Sequence, residues 1–196
     1  MSSTLRGYDR HKSDYYVTPK DMIELFIKES GLRLAQHEKV LDPCAGGQVL
    51  NGEVVFGMPY VDVISTLTSL DNITTLDIRD DSLAQHKVDF LEWEFDKDYQ
   101  LIITNPPFDC SLEIAKKSIE HCKKTKGTVV LLQRLNFLGS KSRKPFFDEN
   151  PPTYIFVHHK RPKFTNTPGT DSIEYAHFVW DYSSPNSSGF SLLKVI

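Results

Sequence analysis

No stretch of this sequence strings together the roughly 18 apolar residues that a membrane-spanning helix requires. Cysteine is scarce: Cys44, Cys110 and Cys122 cannot all pair, and none has metal-ligand spacing to its neighbours, so we expect free thiols in a reducing compartment and no metal. Residues 1–14 are polar and charged, which is not the pattern of a secretory signal, and a cytoplasmic location is expected. A large excess of positive charge is absent too, since the formal net charge is −3, which excludes a uniformly basic nucleic-acid binder. With no internal repeat and no second-domain boundary, the 196 residues are expected to form a single domain, 1–196, with 1–17 as a flexible arm carrying Tyr8, Tyr15 and Tyr16.

What is present is unevenly distributed. Residues 1–104 hold 10 Lys+Arg against 18 Asp+Glu, a balance of −8, whereas residues 105–196 hold 13 against 8, a balance of +5. The basic groups gather at Lys116-Lys117, Lys123-Lys124-Lys126, Lys141-Arg143-Lys144 and Lys160-Arg161-Lys163. Such a surface attracts a phosphate backbone, although each cluster is also compatible with a solvated face. The sign changes at Asn105-Pro106-Pro107-Phe108, where an amide, two prolines and an aromatic ring follow the apolar run Leu101–Thr104. Two prolines stiffen that turn and remove two N–H donors, so its carbonyls stay free to accept.

Hydrophobic periodicity predicts alternating helices and strands. Thr18 is read as the N-cap, with Pro19 at the first position, of a helix whose apolar face is Met22, Ile23, Phe26 and Ile27 and whose stop is Gly31. Strands are expected at Val40-Leu41, Ile73–Asp77, Val88–Leu91, Leu101–Thr104, Thr128–Leu132, Tyr154–Val157 and Glu174–Trp180, with one more short strand possible at Leu192–Ile196. Short helices are read near Pro59 and over Ser82–Lys87, a longer one from Asp109 or Ser111 to Gly127, and one turn at Pro145–Glu149. The pattern implies an α/β fold with a mostly parallel sheet, closed by an antiparallel edge hairpin from the two strands around residues 154–180. Ligands of such sheets bind outside the carboxyl ends of the strands. Four features fall there: the Asp42–Gly47 turn, Asp77, Asp89 and the Asn105 tetrapeptide.

Asp42-Pro43-Cys44-Ala45-Gly46-Gly47 followed by Asn105-Pro106-Pro107-Phe108 resembles the amino-methyltransferases that use S-adenosylmethionine, and most of all the phage-type DNA adenine-N6 methyltransferases. The last two glycines are adjacent here, where the family usually spaces them one residue apart. The resemblance implies a Rossmann-like class I methyltransferase fold: a seven-stranded mixed sheet with helices on both faces, its last strand inserted antiparallel, and here no separate target-recognition domain. It implies S-adenosylmethionine as cofactor, with Tyr16, Thr18 and Pro19 as the N-terminal contact and Asp42, Pro43, Cys44, Ala45 and Gly46 as the loop around the methionine part. Asp77 with Ile78 then takes the ribose, Asp89 with Phe90 the adenine, and Asn105 belongs to cofactor and catalytic sets alike. Asn105, Pro106, Pro107 and Phe108 are the implied catalytic set: the Asn105 amide oxygen and the Pro106 carbonyl accept the target amine's N–H groups, and Phe108 stacks on a flipped base. DNA, as a duplex with a flipped adenine or as a single strand, is the implied partner, in a host cytoplasm if a phage encodes the protein.

For the substrate side, Phe137, Lys141, Arg143 and Lys144 are candidates, Phe137 being equally compatible with the core. Asp77 and Asp89 also suit solvated strand ends, and His158 and His159 suit surface or phosphate contacts better than a metal. RNA adenine or a protein glutamine amide are alternative substrates for the same tetrapeptide, and a catalytically silent cofactor- or DNA-binding protein is the reading from another class.

Overall fold

A computed structural model describes residues 15–34, 38–184 and 191–196. Most of the expected arm, with Tyr8, and the Ser/Pro/Gly turn at 185–190 lie outside the described residues.

The first helix, α1 (Lys20–Ser30), begins one residue later than expected, with Pro19 as its N-cap. Thr18 does not cap it; the hydroxyl accepts a hydrogen bond from Asn105 instead. Gly31 ends the helix in the left-handed conformation, φ 68°, its N–H returning to the Ile27 carbonyl. Strand β1 (Val40–Asp42) is wholly buried and leads into the glycine turn. Beyond it the chain folds as an antiparallel hairpin, β2 (Gln48–Leu50) and β3 (Glu53–Phe56). Its two-residue turn is Asn51-Gly52, both at positive φ, 51° and 83°. That dipeptide is the strongest short-range hairpin signal a sequence carries, and it went unread above.

Helix α2 (Pro59–Ile64) follows, then β4 (Ile73–Asp77) and a two-residue strand β5 (His86–Lys87). The third strand is therefore two residues upstream of its expected place. Asp89 is the reason: its carboxylate takes the Leu91 N–H at 2.8 Å, and its carbonyl takes those of Glu92 and Trp93, so residues 89–93 turn out of the ladder. The helix expected over Ser82–Lys87 does not form, because Gln85 exchanges hydrogen bonds with Thr75 and extends the edge of β4. Strand β6 (Leu101–Thr104), helix α3 (Ser111–Thr125), strand β7 (Thr128–Arg134), helix α4 (Lys144–Glu149), and strands β8 (Tyr154–Val157), β9 (Tyr175–Asp181) and β10 (Leu192–Val195) complete the order.

Among the described residues the sheet has eight strands in the order β10-β8-β9-β7-β6-β1-β4-β5, one more than expected, the eighth being β10. β9 lies antiparallel between β7 and β8, and β10 pairs parallel outside β8. The hairpin of β8 and β9 is thus present, but the edge belongs to β10. α3 packs Ile114, Ala115, Ile119 and Cys122 on one face of the sheet, and α1 and α2 pack Ile23, Phe26, Tyr60 and Ile64 on the other. β8 is antiparallel to β9, which is antiparallel to β7, so β8 runs with β7, β6, β1 and β4. The loops after all five strands, including residues 158–174, therefore emerge at one edge. Helix α3 starts at that edge and returns, leaving Lys123, Lys124 and Lys126 at the opposite one.

Candidate active site

The Asn105 side chain is oriented by what surrounds its nitrogen. Nδ2 donates to Thr18 Oγ1 at 3.0 Å and to the Tyr16 carbonyl at 3.4 Å. A carbonyl only accepts, so the amide nitrogen must face the arm and the oxygen must face away. Oδ1 is buried and accepts no hydrogen bond. The Pro106 carbonyl beside it accepts none among the described residues. Ser111, in the first turn of α3, ties the loop down by donating to the Phe108 carbonyl at 3.1 Å.

A pocket opens against Asn105 and Pro107 and runs beneath the carboxyl ends of β1 and β4. Every residue expected at a cofactor lines it except Pro19, which starts α1, and Asp42. Asp42 sits behind the glycine turn, 2% exposed, with Oδ1 accepting the Cys44 N–H and Oδ2 accepting nothing. Burial pushes this acid up to about 7, only partly offset by the neighbouring Thr104 hydroxyl.

The glycine turn is held by a cation. Gly46 and Gly47 are both at φ 71°, and a Cβ on Gly47 would lie 2.7 Å from Leu83 Cβ. The Gly46 N–H donates to Asp77 Oδ2 at 2.9 Å. Asp77 Oδ1 takes the Arg79 N–H at 2.9 Å and lies 3.2 Å from Arg79 Nε. The same guanidinium donates to the Gly47 carbonyl at 2.7 Å and to Asp81 at 3.0 Å, and it lies 3.7 Å from the centre of the Tyr15 ring. Each carboxylate oxygen has two acceptor sites, so Asp77 Oδ2 still has room for one donor from the pocket. Asp89, half-buried at the mouth, is held by the Leu91 N–H, while Lys117 of α3 donates to the carbonyls of Phe90, Leu91 and Trp93 and fixes that loop.

Phe108 faces a different neighbourhood. Its ring packs with Tyr16 and Tyr175, centroids 5.9 Å away in each case. Over it lies the Arg134 guanidinium, 4.0 Å from the ring centre. Arg134 Nε donates to the Tyr175 hydroxyl at 3.1 Å, and that hydroxyl donates to Asp171 Oδ2 at 2.9 Å.

No family model matches the sequence, and no curated protein matches it. Solved structures do match. A protein of Listeria monocytogenes described as a class I S-adenosylmethionine-dependent methyltransferase superposes with a TM-score of 0.59 at 15% identity, over 92% of this chain and 65% of its own. The type I restriction-modification methyltransferase subunit of Streptococcus thermophilus gives 0.62 at 10%, over 91% and 50%. A Pyrococcus horikoshii protein described as an RNA methyltransferase gives 0.55 at 14%, over 91% and 94%. The fold is that of the class I methyltransferases. At these identities the likeness is one of fold, and the chain spans about two thirds and one half of the first two structures.

Within the class I methyltransferase fold, the substrate-side expectations need correction. Phe137 is 4% exposed and packs edge-on against Phe147 and Phe178, so it belongs to the core. Arg143 is spent on the carbonyls of Asn136 and Phe137, and Lys144 pairs with Asp148. Neither these nor exposed Lys141 line the pocket. His158 is not at the surface: it is 4% exposed, and its Nε2 lies 2.7 Å from His177 Nδ1. Arg79 and Arg134 were missed. Arg79 had a signal, being one cation among Asp77, Asp80 and Asp81 in an acidic half.

Proposed function

We propose that the chain transfers a methyl group from S-adenosylmethionine to the exocyclic N6 amine of adenine in DNA. One observation carries this: the buried, unpartnered Oδ1 of Asn105, aimed by two hydrogen bonds to its nitrogen, in a class I methyltransferase fold. An acceptor left empty at such a place costs about 1–3 kcal/mol, which suits a group kept for a ligand's N–H.

The pocket suits the cofactor's parts. Asp77 and Asp89 offer carboxylate acceptors to hydroxyls and an amino group, and Ile78, Val88 and Phe90 offer apolar contact to a flat ring. Gly46 lets the backbone come close, since a Cβ there would meet the Tyr15 ring at 2.8 Å. Held by these residues, S-adenosylmethionine supplies an electrophilic methyl group. The chain's own contribution is orientation. The amine lone pair is delocalised into the base and is a poor nucleophile. Asn105 Oδ1 and the Pro106 carbonyl each accept one N–H and turn the lone pair out of the ring plane. Orientation of this kind contributes several kcal/mol, up to about 7–11 in the best-aligned cases. As the N–C bond forms, the S–C bond would break to leave a neutral thioether; the surplus proton, left on a nitrogen still hydrogen-bonded to these two oxygens, would pass to water. Phe108 provides a face for the base, worth about 1–3 kcal/mol.

RNA adenine is the second reading, favoured by the Pyrococcus protein, which the chain matches over 94% of that protein's length. Radiolabelled S-adenosylmethionine offered with duplex DNA, single-stranded DNA, RNA and a glutamine peptide tests both. Label in DNA that vanishes in Asn105→Ala supports the first reading. Label in RNA alone replaces it with the second, and label in peptide alone sinks both.

A further inference from the structure

The sheet's topology divides the basic clusters between its two edges, and the segment that carries Lys160-Arg161-Lys163 packs against the rings beside Phe108. Lys123, Lys124 and Lys126 lie at the edge away from the pocket, as the return of α3 dictates. Lys141, Arg143 and Lys144 lie at the pocket's edge, but two of the three are engaged, Arg143 with backbone carbonyls and Lys144 with Asp148. Residues 158–174 leave β8 and enter β9 at that same edge. Lys160 and Lys163 are exposed there and make no ion pair among the described residues. Pro162 and Phe164, between and beyond them, are buried, and the Asp171 N–H closes the segment on the Pro162 carbonyl at 2.8 Å.

This segment touches one wall of the pocket and the side chains around Phe108. Asn166 Oδ1 takes the Val17 N–H at 2.9 Å, and its Nδ2 donates to the Tyr15 carbonyl at 3.0 Å, fastening the pocket wall formed by residues 15–18. Thr165 N–H adds a bond to the Val17 carbonyl at 3.0 Å. At its other end Asp171 holds the Tyr175 hydroxyl, and through it the Arg134 guanidinium over Phe108. Phe164 packs on Tyr16 and Tyr175, the two rings that flank Phe108. The segment is thus a strap with polar, Thr-rich outer residues, two cations unpaired among the described residues and fixed anchors on each side of the Phe108 ring.

We propose that residues 158–174 form the surface that holds the nucleic-acid strand next to the target base, with Lys160 and Lys163 contacting its phosphates. The choice of partner follows from charge: a phosphodiester chain complements two unpaired ammonium groups beside a site whose aromatic slot takes a base. The proposal rests on the methyltransferase reading above, which it extends from the target amine to the strand.

The test is fluorescence anisotropy with labelled single-stranded DNA and RNA 12-mers of one sequence containing one adenine, titrated at several salt concentrations. Lys160→Ala/Lys163→Ala should weaken binding on the order of 5–20-fold and make the salt dependence shallower by about one to two in log-log slope, since a single strand loses roughly 0.7 per contact removed. Lys123→Ala/Lys124→Ala and Lys141→Ala should stay within about twofold of the parent. The oligonucleotide more strongly affected by the strap variant identifies DNA or RNA as the strand. A strap variant that binds like the parent, a control that loses as much, or a parent that binds neither 12-mer overturns the proposal. Methyl transfer is followed on the same oligonucleotides. Strap-dependent binding with no transfer by the parent would sink the enzymatic reading and leave the strap standing. Transfer with no dependence on Lys160 or Lys163 would do the reverse.

Discussion

Beneath β1 and β4 the pocket is closed by backbone and short-range bonds, whereas the Phe108 ring beside it is enclosed by side chains drawn from the whole chain. At the first end, Gly46, Gly47, Asp77, Arg79 and Asp81 all lie within 36 residues, and their bonds link the end of β4 and the loop after it to the glycine turn and to one another. At the second end, Tyr16, Phe108, Arg134, Phe164 and Tyr175 meet across more than 150 residues, and their contacts are ring faces and one guanidinium. The first arrangement suits a cofactor of fixed shape, because backbone donors in a rigid turn lose little freedom on binding. The second suits a substrate that must enter and leave. Arg134 covers the face of Phe108 on which a base would stack, so one of the two must give way.

The largest effect that would separate the two ends comes from the residue where they join. Asn105→Ala should lower kcat by about 10²–10³, the loss found when one preorganised polar group is removed from a transition state, while cofactor affinity measured by calorimetry changes far less. A comparable loss in cofactor affinity would place Asn105 at the cofactor end alone. Next is Arg79→Met. It strips a nearly buried carboxylate of its cation but leaves the backbone N–H of residue 79 and of Gly46 on Asp77. Removing one partner of a buried pair costs about 3–5 kcal/mol, and the surviving bonds put this case near 3. Urea unfolding measures it. Asp77→Asn/Arg79→Met should recover most of the stability and none of the cofactor affinity; recovery of both would reduce Arg79 to a neutralising charge.

The same contrast explains what could be read without coordinates. Strands β1, β4 and β6, the turn at Asp42–Gly47, Asp77 and Asn105 were legible because each is a local pattern: an apolar run, then a residue with one physical reason to stand at its end. Asp89 was placed correctly at the mouth although its strand was misplaced, since an Asx turn and a strand end both want an aspartate after a β-branched residue. Phe137 was ambiguous for a converse reason. An aromatic after a central strand can point to the core or to the site, and only Phe147 and Phe178, brought up by α4 and β9, decide it. Arg134 over Phe108 and Asn166 on the arm had no local signal, because long-range side-chain convergence leaves none. The pooled positive charge of the second half misled in the same way, since topology puts its clusters on opposite edges.

A smaller effect tests how rigid the backbone end is. Both glycines of the turn are at φ 71°, where an L-residue costs about 1–2 kcal/mol. What a methyl group would meet differs. At Gly46 it is the Tyr15 ring edge, which can swing away, and at Gly47 it is Leu83 Cβ, fixed to the backbone. Gly47→Ala should therefore be the more destabilising by a further 1 kcal/mol or more, within the roughly 1–3 kcal/mol range of overpacking, and Gly46→Ala should mainly perturb the arm. Equal losses in urea unfolding would show that Leu83 moves as easily as Tyr15.

The smallest effect is a dependence on pH, and two buried sites differ in its sign. Asp42, behind the glycine turn, is raised by burial from its ordinary 3.8 to about 7. Between those values the folded chain holds a proton that the unfolded chain has lost, so this group makes stability fall as pH rises, by at most about 1.4 kcal/mol per pH unit. His158 and His177, a buried pair joined through His177 to the Tyr60 hydroxyl, are lowered by burial, His158 to about 4 and His177 well below 6.5. Both stay neutral when folded, so the unfolded chain gains protons first and stability falls as pH drops below 6.5. In the parent these slopes oppose each other between pH 4 and 6.5. Asp42→Asn removes one and keeps the other, so its urea midpoint relative to the parent should rise steadily from pH 5 to pH 7, and its acid loss should be the steeper. A difference that stays flat with pH would mean that Asp42 is ionised in the fold and would overturn the assignment of a proton to its unpaired oxygen.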